Sequence, residues 1–303
     1  MRDKILRRNL FLGILVLIVA AVLLALKLPF IKIWFYNFAW WGFILAADSI
    51  NYRRLKTSPL AKPADFFFLA FISVFVWLVF ELFNLSLQNW SYHGLPKSLF
   101  VRWPGYFVAF ATVVPALLEI SLFIISFFKG RAPSLFRMKF TSRLLDLSLG
   151  AGLLFLATSF IWPRVFFPLV WLGFILIFEP LNYRASRPSF FRDLEDGDWT
   201  MILSWLGAGL AAGLLWEFLN FWAGSHWEYS LPHLKFWRIF QMPVFGYFGF
   251  LPFAAGVFAF VQVLEALRNR IKRKVLLNGV FVFAFLAFYG FCFYLIDRYT
   301  VIK

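Results

Sequence analysis

Two glutamates stand in matching contexts in a chain that has only 15 acidic residues. Glu81 is followed three positions later by Asn84, and Glu217 in the same way by Asn220. This spacing places each pair on one face of a helix. A carboxylate among apolar residues is costly, so each glutamate should face protein or water. The pattern predicts catalytic, proton-handling carboxylates with ligand-binding asparagines; the alternative is a structural network within each half of the chain.

Each glutamate–asparagine pair is followed by a loop with the pattern Trp-x-Tyr and a neighbouring histidine. The side chains that are predicted to bind a ligand there are Trp90, Tyr92, His93, His226, Trp227 and Tyr229. Tryptophan and tyrosine are also common at membrane surfaces, but their repetition favours specific packing. His226, His233 and Glu228 do not have the spacing of a known metal site, so no metal is predicted.

Further acidic residues lie within apolar segments. Glu119 is near the middle of its segment, has no counterpart at matching spacing, and is therefore a third catalytic candidate. Asp48 and Glu179 do match each other, and each is followed by Asn-Tyr-Arg. We interpret these two as acid–arginine anchors near one membrane surface.

The composition is that of a membrane protein. Of the 303 residues, 62% are hydrophobic and 15% are charged, and the mean hydropathy is +0.77. Soluble domains are about a quarter charged. The net charge of +15 lies in basic residues between apolar runs, which indicates orientation in a membrane rather than nucleic-acid binding. No phosphate-binding or dinucleotide motif is present, so no cofactor is predicted.

The fold class that follows is an all-α, polytopic membrane helix bundle with about nine transmembrane helices. The predicted spans are 10–29, 33–49, 66–87, 105–128, 144–162, 165–181, 200–223, 243–267 and 275–297. Placing the N-terminus inside puts 21 of the 30 basic residues in the cytoplasm and the C-terminus outside. The predicted location is a bacterial cytoplasmic membrane.

The chain also repeats itself at a distance of about 131 residues. Residues 41–45 and 51–53 read Trp-Gly-Phe-Ile-Leu and Asn-Tyr-Arg; residues 172–176 and 182–184 read Leu-Gly-Phe-Ile-Leu and Asn-Tyr-Arg. We therefore predict two four-helix repeats, 1–140 and 141–270, followed by a C-terminal helix within 271–303. Four crossings per unit give both repeats the same orientation, related by an axis along the membrane normal.

This arrangement resembles the heterodimer-type lycopene cyclase domain, a family of repeated membrane-helical domains that act on carotenoid ends. The matching positions are Glu81, Trp90, Tyr92 and Pro104, and Glu217, Trp227, Tyr229 and Pro243. The resemblance implies a carotenoid-like substrate. The paired acids of that family are absent: the corresponding stretches, 104–107 and 243–246, read Pro-Gly-Tyr-Phe and Pro-Val-Phe-Gly.

Three functions remain open from the sequence. The favoured one is an apolar, aromatic-lined pocket between the repeats for a lipid or isoprenoid, with acid/base chemistry from the glutamates. The second is a proton- or ion-coupled transporter that uses the same carboxylates. The third is a non-catalytic subunit of a larger membrane complex, with membrane proteins or pigments as partners.

Overall fold

The fold is a bundle of helices in a computed structural model, which describes residues 2–128, 133–231, 237–271 and 274–302. The α-helices are α1 (Arg2–Ala25), α2 (Pro29–Leu55), α3 (Pro63–Leu87), α4 (Leu99–Phe110), α5 (Val113–Ile125), α6 (Ser142–Ile161), α7 (Pro163–Phe166), α8 (Leu169–Arg184), α9 (Phe190–Asp196), α10 (Thr200–Trp222), α11 (Phe250–Ile271) and α12 (Val275–Tyr299). Short 3-10 helices cover Pro59–Ala61 and Val244–Gly249. The all-α prediction is confirmed.

Eight helical segments within the described ranges are long and apolar enough to cross a membrane. They are Arg7–Ala25, Pro29–Leu55, Pro63–Leu87, Leu99–Ile125, Ser142–Ile161, Thr200–Trp222, Val244–Ile271 and Leu276–Tyr299. The sixth predicted span corresponds to α8, which has 16 residues and is preceded by the single turn of α7. A chain with this set of helices is a multi-pass membrane protein.

The predicted fourth span is broken into α4 and α5 at Ala111 and Thr112. Pro115 has no N–H to bond to the carbonyl of Ala111, which weakens the helix at that point. Ser73 of α3 bridges the break: its hydroxyl donates to the carbonyl of Phe110 and accepts from the N–H of Val114. The predicted start at residue 105 was wrong, because α4 begins at Leu99.

Glycines allow the first two helices of each half to pack closely. A Cβ on Gly13 of α1 would lie 2.6 Å from the carbonyl oxygen of Gly42 on α2. A Cβ on Gly152 of α6 would likewise lie 2.9 Å from the carbonyl oxygen of Gly173 on α8. Neither distance leaves room for a side chain, so α1 packs on α2 as α6 packs on α8.

Aromatic rings join the two halves of the chain. Trp40 of α2 packs against Trp216 of α10, with ring centroids 5.7 Å apart. In the opposite direction, Trp171 of α8 packs against Phe80 of α3 at 5.3 Å. Each half therefore inserts its second long helix against the third long helix of the other half.

Two short strands connect the halves at one end of the bundle. Strand β1 (Trp90–His93) follows α3, strand β2 (His226–Tyr229) follows α10, and the two pair antiparallel. The chain after α12 adds a third segment: Tyr92 N–H donates to the Thr300 carbonyl, and Ile302 N–H donates to the Tyr92 carbonyl. A separate two-residue pair joins β3 (Arg238–Ile239) to β4 (Met242–Pro243). We call this end of the bundle the strand end.

Candidate functional site

The two asparagines of the repeated motif hold the two strands on their helices. Asn84 donates to the Trp90 carbonyl at 2.9 Å and accepts from the N–H groups of Asn89 and Trp90 at 2.9 and 3.2 Å. Asn220 donates to the Trp227 carbonyl and accepts from the Trp227 N–H, both at 2.8 Å. Both asparagine side chains are buried and hydrogen-bonded to the backbone, so they stabilise the position of the strands.

The two glutamates accept hydrogen bonds from the tyrosines of the strands. Glu81 accepts from the Tyr92 hydroxyl and from the Trp90 indole N–H. Glu217 accepts from the Tyr229 hydroxyl at 2.9 Å. Both carboxyl groups are buried, and the second oxygen of each, Oε2, has no hydrogen-bond partner among the described residues.

The phenols of Tyr92 and Tyr229 stay protonated in this setting. Burial raises the pKa of each tyrosine well above its usual value, and the charge of the adjoining glutamate raises it further. Each tyrosine is therefore a hydrogen-bond donor whose proton points at a carboxylate. A donor–acceptor pair of this kind can pass a proton to or from a group in contact with the phenol.

The strand register exchanges the equivalent positions of the two loops. Trp90 lies opposite Tyr229, and Tyr92 lies opposite Trp227. Trp90 and Trp227 are equivalent positions of the repeated motif, and so are Tyr92 and Tyr229. The tryptophan of each strand therefore lies opposite the tyrosine of the other, as a two-fold axis through the middle of the ribbon would place them. That is the relation expected of two like-oriented copies that meet face to face.

The two histidines meet at the end of this ribbon. The rings of His93 and His226 stack with centroids 5.6 Å apart. Glu228 lies near both, with its carboxylate 3.9 Å from His93 Nε2 and 3.3 Å from His226 Nε2. Within the described ranges no group of three metal-ligating side chains has the geometry to hold an ion, and His233 lies outside them.

A cavity of about 240 Å³ lies beneath the ribbon, between the two halves. Aromatic side chains make up about half of its wall, which comes from α2, α3, α4, α5, α8, α10 and α11 together with both strands. Representative wall residues are Tyr36, Trp77, Trp90, Tyr92, Arg102, Tyr106, Phe110, Trp171, Trp216, His226, Trp227, Tyr229 and Phe253.

The predicted site residues divide into a wall and a support behind it. Trp90, Tyr92, His226, Trp227 and Tyr229 line the cavity. The structure places the remaining candidates elsewhere: Asn84, Asn220 and His93 lie outside its wall, as do the three glutamates Glu81, Glu217 and Glu119. A ligand in the cavity would meet the tyrosines, and the two motif glutamates could act only through them.

Asp297, near the end of α12, holds one side of the wall and was missed in the sequence. It accepts from Arg102 Nη1 at 2.9 Å, Trp103 Nε1 at 2.8 Å and the Tyr106 hydroxyl at 2.8 Å. Arg102 also donates to the Pro96 carbonyl at 2.7 Å. The available signal was weak: an acid and an arginine at the same predicted membrane surface, 195 positions apart.

Glu119 lies in a different cluster, away from the strand end. Asn51 of α2 donates to both the carbonyl and Oε2 of Glu119, at 2.8 and 2.7 Å. Asp48 is three residues before Asn51 and lies on the same face of α2, so its carboxyl group is a neighbour of Glu119. Asp48 accepts from the Ser58 hydroxyl at 2.7 Å and from the Leu60 N–H at 3.1 Å.

The second half repeats part of this cluster. Glu179 accepts from the Ser189 hydroxyl at 2.6 Å and the Phe191 N–H at 3.2 Å, as Asp48 does from Ser58 and Leu60. The arginine that follows, Arg184, pairs with Asp146 of α6 at 2.6 Å. The predicted acid–arginine anchor at Glu179 was therefore wrong, because Arg184 pairs with Asp146 while Glu179 Oε2 accepts from a hydroxyl and an N–H.

No family model, no characterised protein and no solved structure matches this chain.

Proposed function

We propose that this integral membrane protein binds a lipid or isoprenoid in the cavity beneath the β1–β2 ribbon. The observation that carries the proposal is the cavity of about 240 Å³ with an aromatic wall drawn from both halves of the chain. Small-molecule sites typically enclose about 300–1,000 Å³. An elongated apolar ligand suits a cavity just below that range, because part of it can remain in the surrounding lipid.

The polar groups on the wall suit the functional end of such a ligand. Tyr92 and Tyr229 line the cavity and are backed by Glu81 and Glu217. Acid/base chemistry, if the ligand is a substrate, would pass through these phenols. This arrangement is compatible with the proposed resemblance to the heterodimer-type lycopene cyclase domain, with an acyclic carotenoid as one candidate ligand.

We further propose that the cavity arose by joining two like-oriented four-helix repeats, 1–140 and 141–270, with 271–303 added. Three features support this origin. Asn84 and Asn220 make equivalent hydrogen bonds to the strands, glycines allow equivalent close packing of α1 on α2 and of α6 on α8, and β1 pairs with β2 about a two-fold axis. If the N-terminus is cytoplasmic and the C-terminus outside, as the basic loops indicate, the cavity opens toward the outer leaflet of the membrane.

The test is a pair of matched glycine substitutions. Gly105 lines the cavity, and a Cβ there would lie 3.4 Å from the Trp34 ring, so a leucine can be built into the cavity. A Cβ on Gly150 of α6 would have no neighbouring atom within 4 Å, so this glycine serves as the control. We expect protein isolated in mild detergent to retain a lipid or isoprenoid, identified by extraction and mass spectrometry. Gly105→Leu should lose it and Gly150→Leu should keep it.

Equal ligand content in the two variants would contradict the proposal, as would wild-type protein that carries no ligand and binds no added isoprenoid. For the catalytic form of the proposal, Glu217→Gln and Tyr229→Phe should retain binding but lose turnover of an added acyclic carotenoid. Protein subunits that co-purify while the cavity stays empty would instead favour the subunit hypothesis.

The transporter hypothesis has one observation in its favour, the two neighbouring carboxyl groups of Asp48 and Glu119 that are buried within membrane helices. Carboxyl groups within membrane helices are typical of proton pathways. Proton flux in proteoliposomes, measured with a pH-sensitive dye and abolished by Glu119→Gln, would support this function over the first.

A further inference from the structure

Two carboxyl groups, one on α2 and one on α5, are buried outside the cavity wall. Asp48 is 0% exposed and Glu119 is 1% exposed. Asn51, which is three residues after Asp48 and so on the same face of α2, donates to Glu119 Oε2 at 2.7 Å, which brings the two carboxyl groups to the same place between the helices. Glu119 is six residues along α5 from Val113, which lines the cavity. At about 1.5 Å of rise per residue, the pair lies roughly 9 Å beyond the cavity.

Two ionised carboxylates buried beside each other repel and lose their hydration, so the state in which both are charged is disfavoured. The hydrogen bonds that reach the pair do not remove the conflict. Ser58 and Leu60 donate to Asp48, and Asn51 donates to Glu119 Oε2. Two buried oxygens at the same place, Glu119 Oε1 and Asn51 Oδ1, have no partner among the described residues.

The second half shows that the fold does not require this carboxyl pair. Asn182 donates to the Ala259 carbonyl at 2.8 Å, just as Asn51 donates to the Glu119 carbonyl at 2.8 Å. Alanine thus occupies the position that Glu119 holds in the first half. A glutamate therefore stands in only one of two similar structural settings, so packing alone does not require it.

We propose that Asp48 and Glu119 form a proton-binding site in which the two carboxyl groups share a single exchangeable proton. The shared proton supplies the donor that the Asp48–Glu119 contact otherwise lacks. The neighbouring helices add few charges: α10, which packs on α5, has Glu217 as its single titratable residue, at the strand end. On α3, Glu81 lies at the strand end and Asp65 pairs with Arg268. On α2, Arg54 donates to the Ser126 hydroxyl, and Arg7 and Arg8 on the described part of α1 are exposed.

The experiment measures the melting temperature of the full chain in detergent as a function of pH. If the native pair holds a proton that the unfolded chain releases, stability falls as pH rises. The wild-type melting temperature should then drop relative to that of Glu119→Gln by about 2 °C per pH unit. Glu119→Ala, which places at residue 119 the alanine found at residue 259, should show the same dependence of melting temperature on pH as Glu119→Gln. Asp146→Asn, at an exposed acid, should keep the wild-type slope.

Two results would overturn the proposal. The first is a Glu119→Gln profile parallel to that of the wild type, because the pair would then hold no extra proton. The second is a rise in wild-type melting temperature with sodium chloride but not with choline chloride, lost in Glu119→Gln, because the occupant would then be a metal cation. Infrared spectra provide a direct readout: one protonated-carboxyl C=O band present at neutral pH should disappear in Glu119→Gln and persist in Asp146→Asn.

Discussion

Replacing Asp297 by alanine should weaken the attachment of α12 to α4, which forms part of the cavity wall. Asp297 accepts three hydrogen bonds, from Arg102, Trp103 and Tyr106, and the side chains of Arg102 and Asp297 are only 12% and 13% exposed. The substitution leaves a buried guanidinium without its counter-charge. Breaking a buried ion pair from one side costs about 3–5 kcal/mol, so we expect Asp297→Ala to lower the free energy of unfolding by that amount.

The free energy of unfolding can be measured by titrating sodium dodecyl sulfate into mixed micelles and extrapolating to its absence. Asp65→Ala is the matched control. The side chain of Asp65 is 60% exposed and that of its partner Arg268 is 24% exposed, so this ion pair should contribute only about 0–1 kcal/mol. If Asp297→Ala costs no more than Asp65→Ala, Asp297 does not hold α4, and the assignment of α12 as a support of the cavity is wrong.

Three further outcomes follow from particular contacts. Asn84 makes three hydrogen bonds to the backbone at β1, and Asn220 makes two at β2. At about 1 kcal/mol for each bond, Asn84→Ala should lower the free energy of unfolding by about 3 kcal/mol and Asn220→Ala by about 2 kcal/mol in the same titration. Equal losses would argue against these hydrogen bonds as the source of the stability. Burial, then the charges of Asp198 and Asp196, raise the pKa of Asp193 to about 6, above its unfolded value, so ionisation costs stability as pH rises; Asp193→Asn should raise the melting temperature at about pH 7.5 and leave it unchanged at about pH 4. A Cβ on Gly209 would overlap the Phe250 carbonyl, so Gly209→Ala should cost about 1–3 kcal/mol while Gly150→Ala costs nothing, and a neutral Gly209→Ala would show that α10 and α11 can separate.

Local patterns predicted the helices well because each helix satisfies its own backbone and declares itself by a continuous apolar run. The ends were less accurate where one residue decides them. Pro115 breaks the fourth span two residues after α5 begins, and the break is held by Ser73 on another helix. No pattern within residues 105–128 contains that contact.

The repeated motif predicted which residues come together at the strand end. It did not predict which of them line the cavity and which lie behind its wall. Glu81 and Glu217 were predicted to be catalytic carboxylates, and the structure sets Tyr92 and Tyr229 between them and the cavity. Whether the glutamates take part in catalysis stays a prediction. A helical spacing of three residues fixes the face of a side chain, and only the path of the following loop decides what covers it.

Sequence by itself determined the class of this protein: apolar runs of membrane length, basic connections, and a doubled set of polar residues at fixed spacings. Tertiary structure alone decided which distant groups meet. Asp297 reaches Arg102 across 195 positions, and Asp48 meets Glu119 on another helix. The physical reason is that helix formation depends on neighbours along the chain, whereas the pairing of buried charges depends on how whole helices pack.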